Sequence, residues 1–241
     1  MKSTTATIVR RLQLVSGVDA DDVQALESLP IAIRQTAAHD YIVRDGERPT
    51  QCCLLIDGYA IRAKYGATGK RQILSIHIAG DIPDLQCLHL NVMDHNLMTL
   101  SPCTLGFITH DALRDLNRRR PRLAEALWRD TLIDAAMFRE WIFNIGQRPA
   151  RARMAHLFME MKYRLQLIGR CDGASFDLPM TQNEYGDALG LTSIHVNRIL
   201  QELRKDGLIA VNRQTVTILD EAELSELAGF DRVYLHQNRS L

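Results

Sequence analysis

Between about residues 30 and 112 apolar and polar residues alternate with period two, in short runs such as YIVRDG, CCLLIDGYAIRAKYG, KRQILSIHIAGD and LMTLSPCTLGFI. Asp45-Gly46, Asp57-Gly58, Gly66 to Gly69, Gly80-Asp81 and Ser101-Pro102 interrupt these runs. Short alternating segments with closely spaced turn signals predict a β-sandwich or small barrel. Residues 7–29 before them read as a short helical lead-in. From about 111 to 168 the period lengthens to about 3.6 residues. Asp111 is placed to cap a short helix that stops near Arg119-Arg120-Pro121. Proline favours the first helical position, so a long helix begins at Pro121 and runs to Gly146. Its apolar positions Leu123, Leu127, Leu132, Phe138, Trp141, Ile142 and Ile145, with Ala135 and Met137 beside them, form a stripe wider than a two-residue seam. Such a helix between two domains has to cover both neighbours or a copy of itself. Residues 149–168 predict a second amphipathic helix, with Met154, Leu157, Phe158, Met161 and Leu165 on one side.

The segment TQNEYGDALGLTSIHVNRILQELRKDGLI, residues 181–209, holds two short helical patterns separated by Gly190. Thr181 and Glu184 form a capping box, flanked by Met180 and Tyr185 at the positions of a hydrophobic staple. Gly190 suits the left-handed residue that stops the first helix. Thr192 caps the second, whose apolar stripe is Val196, Ile199, Leu200 and Leu203. Gly186 costs about 1 kcal/mol against alanine inside a helix, which makes sense if another element crosses closely. After Gly207, LIAV and TVTIL joined by NRQT predict a hairpin. Two crossed helices and a hairpin make a winged helix.

With the stripe inward, the second helix turns Ser193, Ile194, Asn197 and Arg198 outward and carries His195 on its flank. In a helix-turn-helix the start of that helix enters the DNA major groove. Arg198 suits guanine O6 and N7, and Asn197 suits adenine or phosphate. Thr181 and Thr192, at helix starts with free N–H groups, suit phosphate oxygens. Arg213 in the hairpin turn is a further candidate phosphate contact. A polar helix face alone usually means only solvation. The double cap, the one-glycine turn, the small residue at the crossing and the hairpin occur together here, and together they favour DNA.

The chain has 241 residues, 46% hydrophobic and 24% charged, and a formal net charge of +0. A neutral balance counts mildly against nucleic acid, so any basic surface has to be local. No run reaches membrane-spanning length, and MKSTTATIVRR lacks the apolar core of a secretory signal. The expected compartment is the cytoplasm. The five scattered cysteines, without a CxxC, read as reduced and mostly buried thiols.

The stretch MTQNEYGDALGLTSIHVNRILQELRKDGLI resembles the helix-turn-helix of the Crp/Fnr family of bacterial transcription regulators. The order of the rest agrees: a β-roll, a long helix ending near WIFNIGQR, then PARARMAHLFMEM leading into the DNA-binding domain. The variant IHVNR, with IAGDI and HLFMEM, is most similar to an α-proteobacterial subgroup. The resemblance implies an α+β chain: a cyclic-nucleotide-binding-like β-roll (jelly roll) over residues 1–120, a dimerisation helix over 121–146 and a winged helix-turn-helix over 147–241. It also implies a homodimer on double-stranded, palindromic DNA and contact with RNA polymerase. Arg198 matches the family's guanine-reading arginine. The glutamate that members often carry falls at Ile194, which cannot accept from cytosine N4, and an arginine of some members falls at Ser193. A different half-site is therefore expected, with His195 and Asn197 carrying part of the readout.

Cyclic-nucleotide-binding members hold the ribose with a Gly-Glu pair and the phosphate with an Arg followed by Ser or Thr. This chain has Gly80-Asp81, and His95-Asn96 where the arginine pair is expected. A phosphate clamp needs the permanent forked charge of arginine, so tight cyclic AMP binding is not expected. The candidate effector pocket comprises Gly80, Asp81, Cys87, His95 and Asn96, with Cys87 a redox switch if its pKa is low. Adjacent strand residues Cys52 and Cys53 point to opposite faces and cannot supply the thiolates of an iron–sulfur cluster. His77, His89, His95 and His110 match no ligand spacing, so neither cofactor nor metal is expected. A cupin-type enzyme would need a His-x-His pair where LSIHIAG has one histidine, and no GxSxG, HExxH or phosphate loop appears. A ligand sensor without DNA binding is the other alternative, and the polar start of the recognition helix argues against it.

Overall fold

The computed structural model describes residues 4–237, so residues 1–3 and 238–241, at the outer ends of the first and last expected regions, lie outside it. The described chain forms two compact units. One comprises residues 4–64, Leu74–Ala136 and 236–237; the other comprises Tyr65–Ile73 and Met137–Leu235.

In the first unit the lead-in resolves into two helices. Helix α1 (Ala6–Ser16) buries Ile8, Val9, Leu12 and Val15 and ends at left-handed Gly17. Helix α2 (Ala20–Glu27) starts at a capping box between Asp19 and Asp22. Seven strands follow: β1 (Ala32–Thr36), β2 (Tyr41–Val43), β3 (Gln51–Asp57), β4 (Ala60–Tyr65), β5 (Arg71–His77), β6 (Asn96–Thr99) and β7 (Cys103–Thr109), of which Tyr65 in β4 and residues 71–73 in β5 count with the second unit. They make a three-stranded sheet, β1-β7-β3, and a four-stranded sheet, β2-β6-β4-β5. Pairing of β3 with β7 sets Cys53 opposite Phe107 and Cys52 opposite Ile108. The pleat then sends the two cysteines to different cores. Cys53 packs with Leu55, Leu97, Leu105 and Phe107, and Cys52 with Leu12, Leu54, Ile108 and Leu116. Gly58, at φ +93°, has to be glycine: a Cβ there would sit 2.5 Å from the Pro102 carbonyl oxygen.

Helix α3 (His110–Arg119) is capped by Thr109, whose hydroxyl accepts from Ala112 N–H, and not by the expected Asp111. Asp111 lies in the first turn, past the position whose side chain can bend back onto the free N–H groups. Helix α4 (Pro121–Gln147) starts at the expected proline but passes through Gly146. A helical glycine costs propensity without breaking the hydrogen-bond ladder.

In the second unit, α5 (Ala150–Leu167) departs from the expected amphipathic pattern. Met154, Leu157, Phe158, Met161 and Leu165 are buried as expected, but so are His156, Met159, Glu160, Lys162 and Arg164. Neighbours surround the helix, and Glu160, Lys162 and Arg164 find protein partners in place of water. The unit also holds β8 (Cys171–Asp172), β9 (Ser175–Asp177), α6 (Gln182–Leu189), α7 (Ser193–Lys205), β10 (Ile209–Asn212), β11 (Thr215–Ile218) and α8 (Glu221–Ala228). The hairpin β10–β11 is the expected wing, and it continues a four-stranded sheet in the order β10-β11-β9-β8. The first two strands of that sheet and helix α8, capped by Asp220 and closed by Gly229, are too short to show a period in the sequence.

Candidate nucleic-acid interface and effector pocket

The helix-turn-helix is built locally. The Thr181 hydroxyl accepts from Glu184 N–H at 3.3 Å and Glu184 Oε2 accepts from Thr181 N–H at 2.7 Å. Gly190 is left-handed at φ +68°, and Leu191 N–H closes the turn onto Gly186 O at 3.0 Å. A Cβ on Gly186 would lie 2.6 Å from Leu191 O, so the turn itself is the element that crosses closely. Thr192 Oγ1 accepts from His195 N–H at 3.3 Å. Val196, Ile199, Leu200 and Leu203 are all buried against the unit.

That packing leaves the other face open. Ile194 and Arg198 are exposed, and Ser193, His195 and Asn197 are half-exposed beside them. Among the described residues the Arg198 guanidinium is held by an intrahelical pair, Nε to Glu202 Oε1 at 3.7 Å with both side chains in water, a contact worth at most about 0.5 kcal/mol. Asn197 Nδ2 donates to Gln182 Oε1 at 3.4 Å. Gln182, exposed on the first turn of α6, is a further polar group at this face, and the one signal for it in the sequence is its place directly after the cap Thr181. Thr181 and Thr192 are exposed at their helix starts. Arg213 occupies the wing turn in left-handed conformation, φ +53°, and is exposed. All seven candidate DNA-contacting residues thus belong to one unit. Arg71, also in this unit, donates through Nε to Asp187 Oδ2 on α6 at 2.8 Å.

The candidate pocket residues sit in the first unit. Gly80 is left-handed at φ +93°, tight against Thr7. Asp81 is buried, and its carboxylate is engaged by Arg11, by His77 Nδ1 and by Ile78 N–H. It is therefore not free to hold a ribose hydroxyl as the family's glutamate would. Asn96 donates to Ala63 O at 3.4 Å and accepts from Asp45 N–H. His95 Nδ1 bonds Asp94 at 2.7 Å while its Nε2 is buried without a partner. Burial, with Arg62 close by, lowers the His95 pKa, so the ring is a poor anion clamp. Burial pushes the Cys87 thiol up to about 12, which removes the thiolate that a redox switch at Cys87 requires. Arg62 also belongs to this region of the first unit. It is buried on β4, donates to Pro83 O, and pairs with Asp134 Oδ2 on α4 at 2.6 Å. Nothing near Arg62 in sequence marks it, because its partners lie 21 and 72 residues away. Among the described residues, no group of three or more His, Cys, Asp or Glu side chains could hold a metal ion. No described helix is long and apolar enough to cross a membrane.

Residues 152–227 match the Crp-like helix-turn-helix domain, and residues 33–120 match the cyclic nucleotide-binding domain. The transcriptional activator protein FnrL of Cereibacter sphaeroides is 24% identical over 237 residues, covering 92% of this chain and 90% of its own length. The fumarate and nitrate reduction regulatory protein of Vibrio cholerae is 28% identical over 180 residues, 72% of each chain. The solved structure of FixK2 from Bradyrhizobium japonicum superposes with a TM-score of 0.76 at 21% identity, covering 83% of this chain and 98% of that one. The c-di-GMP responsive regulator CLP of Xanthomonas campestris superposes at 0.66 with 15% identity, covering 84% and 100%. A β-roll, a long helix and a capped helix-turn-helix with an outward polar face, in this order and with these relatives, make the chain a member of the Crp/Fnr family of transcription regulators.

Proposed function

We propose that the protein acts in the cytoplasm as a homodimer that reads a palindromic operator through Ser193, His195, Asn197 and Arg198, with Thr181, Thr192 and Arg213 on the phosphates. The observation that carries this reading is the outward face of α7, where a nearly free arginine and half-exposed amide, hydroxyl and imidazole groups stand over a fully packed stripe. The homodimer is supported by a second stripe on α4. Trp128 is 67%, Leu132 53% and Ile142 72% exposed; with Ala135 and Arg139 between them they recur at alternating four- and three-residue steps, the spacing of a coiled-coil seam. Two-fold pairing of such helices would set two recognition helices on successive major grooves. Contact with RNA polymerase is part of the same reading, supported by the activator named among the relatives.

The β-roll does not bind cyclic AMP tightly in this proposal. At positions 95 and 96 it carries His-Asn in place of Arg-Ser or Arg-Thr. Two charge pairs of the same unit, Arg62 with Asp134 and Arg11 with Asp81, leave neither arginine uncompensated for a phosphate. Selection of bound sequences from a random duplex pool tests the DNA reading. Enrichment of an inverted repeat with half-site centres one DNA turn apart is the expected result; no enrichment, or a single unpaired half-site, would refute it.

A further inference from the structure

Ile194 is 82% exposed, more than any other large apolar side chain among the described residues. It is the second residue of α7, one turn before Arg198 and on the face opposite the buried Val196–Leu203 stripe. It packs no core, and the residues around it on that face, Ser193, Asn197 and Arg198, are polar. Solvation alone would be better served there by glutamate, lysine or glutamine, which also form helices more readily. A β-branched side chain in a helix is held close to one rotamer, so its methyl groups are aimed before any partner arrives and lose little freedom on contact.

The major groove offers an isoleucine one apolar target, the C5-methyl group of thymine. We propose that Ile194 is a specificity-determining residue that reads a thymine methyl in each half-site. This rests on α7 being the groove helix. Ile194 and Arg198 are four residues apart, about 6 Å along the helix axis, so the thymine and the guanine read by Arg198 fall within one half-site. Where a glutamate would select cytosine by accepting from its N4 amino group, the isoleucine has no acceptor and selects the methyl.

The test uses the full-length protein and the operator recovered from the random pool, with each thymine replaced in turn by deoxyuridine, which removes only the methyl. One thymine per half-site is expected to lose about fourfold in affinity on replacement, the factor that corresponds to one buried methyl group. In Ile194→Ala that discrimination disappears, while Ile194→Val, which keeps a branched methyl, retains most of it. The salt dependence of binding stays that of the parent in both variants, because no charge has changed. Equal affinity for thymine and uracil at every position overturns the proposal, as does discrimination that survives in Ile194→Ala. Both outcomes leave operator binding intact and so differ from failure of the DNA reading itself, in which no duplex is bound in a salt-dependent way.

Discussion

The indole N–H of Trp141 on α4 lies between the two carboxylate oxygens of Glu160 on α5, at 3.2 and 3.1 Å. Glu160 is completely buried and also accepts from Tyr234 OH at 2.8 Å and Arg164 Nη1 at 3.3 Å. One carboxylate thus ties together α4, α5 and the C-terminal turn of the second unit. Removing it takes a partner from the buried Arg164 guanidinium, from the buried Trp141 N–H and from the half-buried Tyr234 hydroxyl. Glu160→Ala should cost about 3–5 kcal/mol. Trp141→Phe, which deletes one donor and leaves the other two, should cost about 1–2 kcal/mol. Urea unfolding measures both, with Tyr234 and circular dichroism as probes for Trp141→Phe and Trp141 fluorescence in a Trp128→Phe background for Glu160→Ala.

Acid should destabilise the protein. Burial, assisted by Arg62, pulls the His77 imidazole down to about 4. Burial and then Arg148 pull His156 down to about 3, whereas burial pushes the Asp84 carboxyl up to about 7. Unfolded, histidine titrates near ~6.5 and aspartate near ~3.9. Between these values the unfolded chain binds two protons that the folded imidazoles refuse, and the folded chain keeps one on Asp84. Of these three groups the unfolded state therefore binds about one proton more, and they lower stability by about 1.4 kcal/mol per unit as pH drops from about 6.5 to 4; the lowered His95 and His110 act in the same direction. Asp84→Asn removes the opposing proton and should roughly double that slope. Denaturant titrations at a series of pH values read both; a slope of opposite sign would contradict the burial argument.

The seam on α4 predicts a charge-sensitive dimer. Leu132→Lys and Ile142→Lys each place two ammonium groups in a seam whose charged position, Arg139, is already cationic, where unpaired burial costs several kcal/mol. Each should weaken self-association at least about a hundredfold without unfolding the monomer, since both positions are more than half exposed. Sedimentation velocity across a dilution series gives the answer, and operator affinity should fall with it.

Arginines 198 and 213 should behave differently on DNA. Arg198→Ala is expected to cost roughly 1–3 kcal/mol at the selected operator and to relax preference at one position. Arg213→Ala should weaken all duplexes alike and reduce the salt slope by about one ion. Quantitative shift assays on operator and random duplex, at several salt concentrations, separate the two patterns.

Cyclic AMP at millimolar concentration should leave the thermal midpoint unchanged, because a ligand stabilises only in proportion to its binding of the folded state. A clear upward shift would refute the reading of the β-roll as a domain that does not bind cyclic AMP tightly.

The sequence by itself determined the helix-turn-helix. Thr181, Glu184, Gly186, Gly190 and Thr192 act within five residues of one another or of the turn they make, so their caps, left-handed turn and close approach are local geometry. The alternation in residues 30–112 likewise determined a two-sheet roll, and Pro121 the start of the long helix. Only the tertiary structure decided which polar groups are consumed inside. Asp81 is taken by Arg11, 70 residues away, and Arg62 by Asp134, 72 residues away. The Cys87 thiol is raised by a core drawn from several strands. The same holds for α5, whose residues read as amphipathic but lie buried on every side because Trp141, Tyr234 and Glu221 supply the partners that water would otherwise provide. Pairing over such separations depends on chain topology, and a one-dimensional pattern carries no record of it.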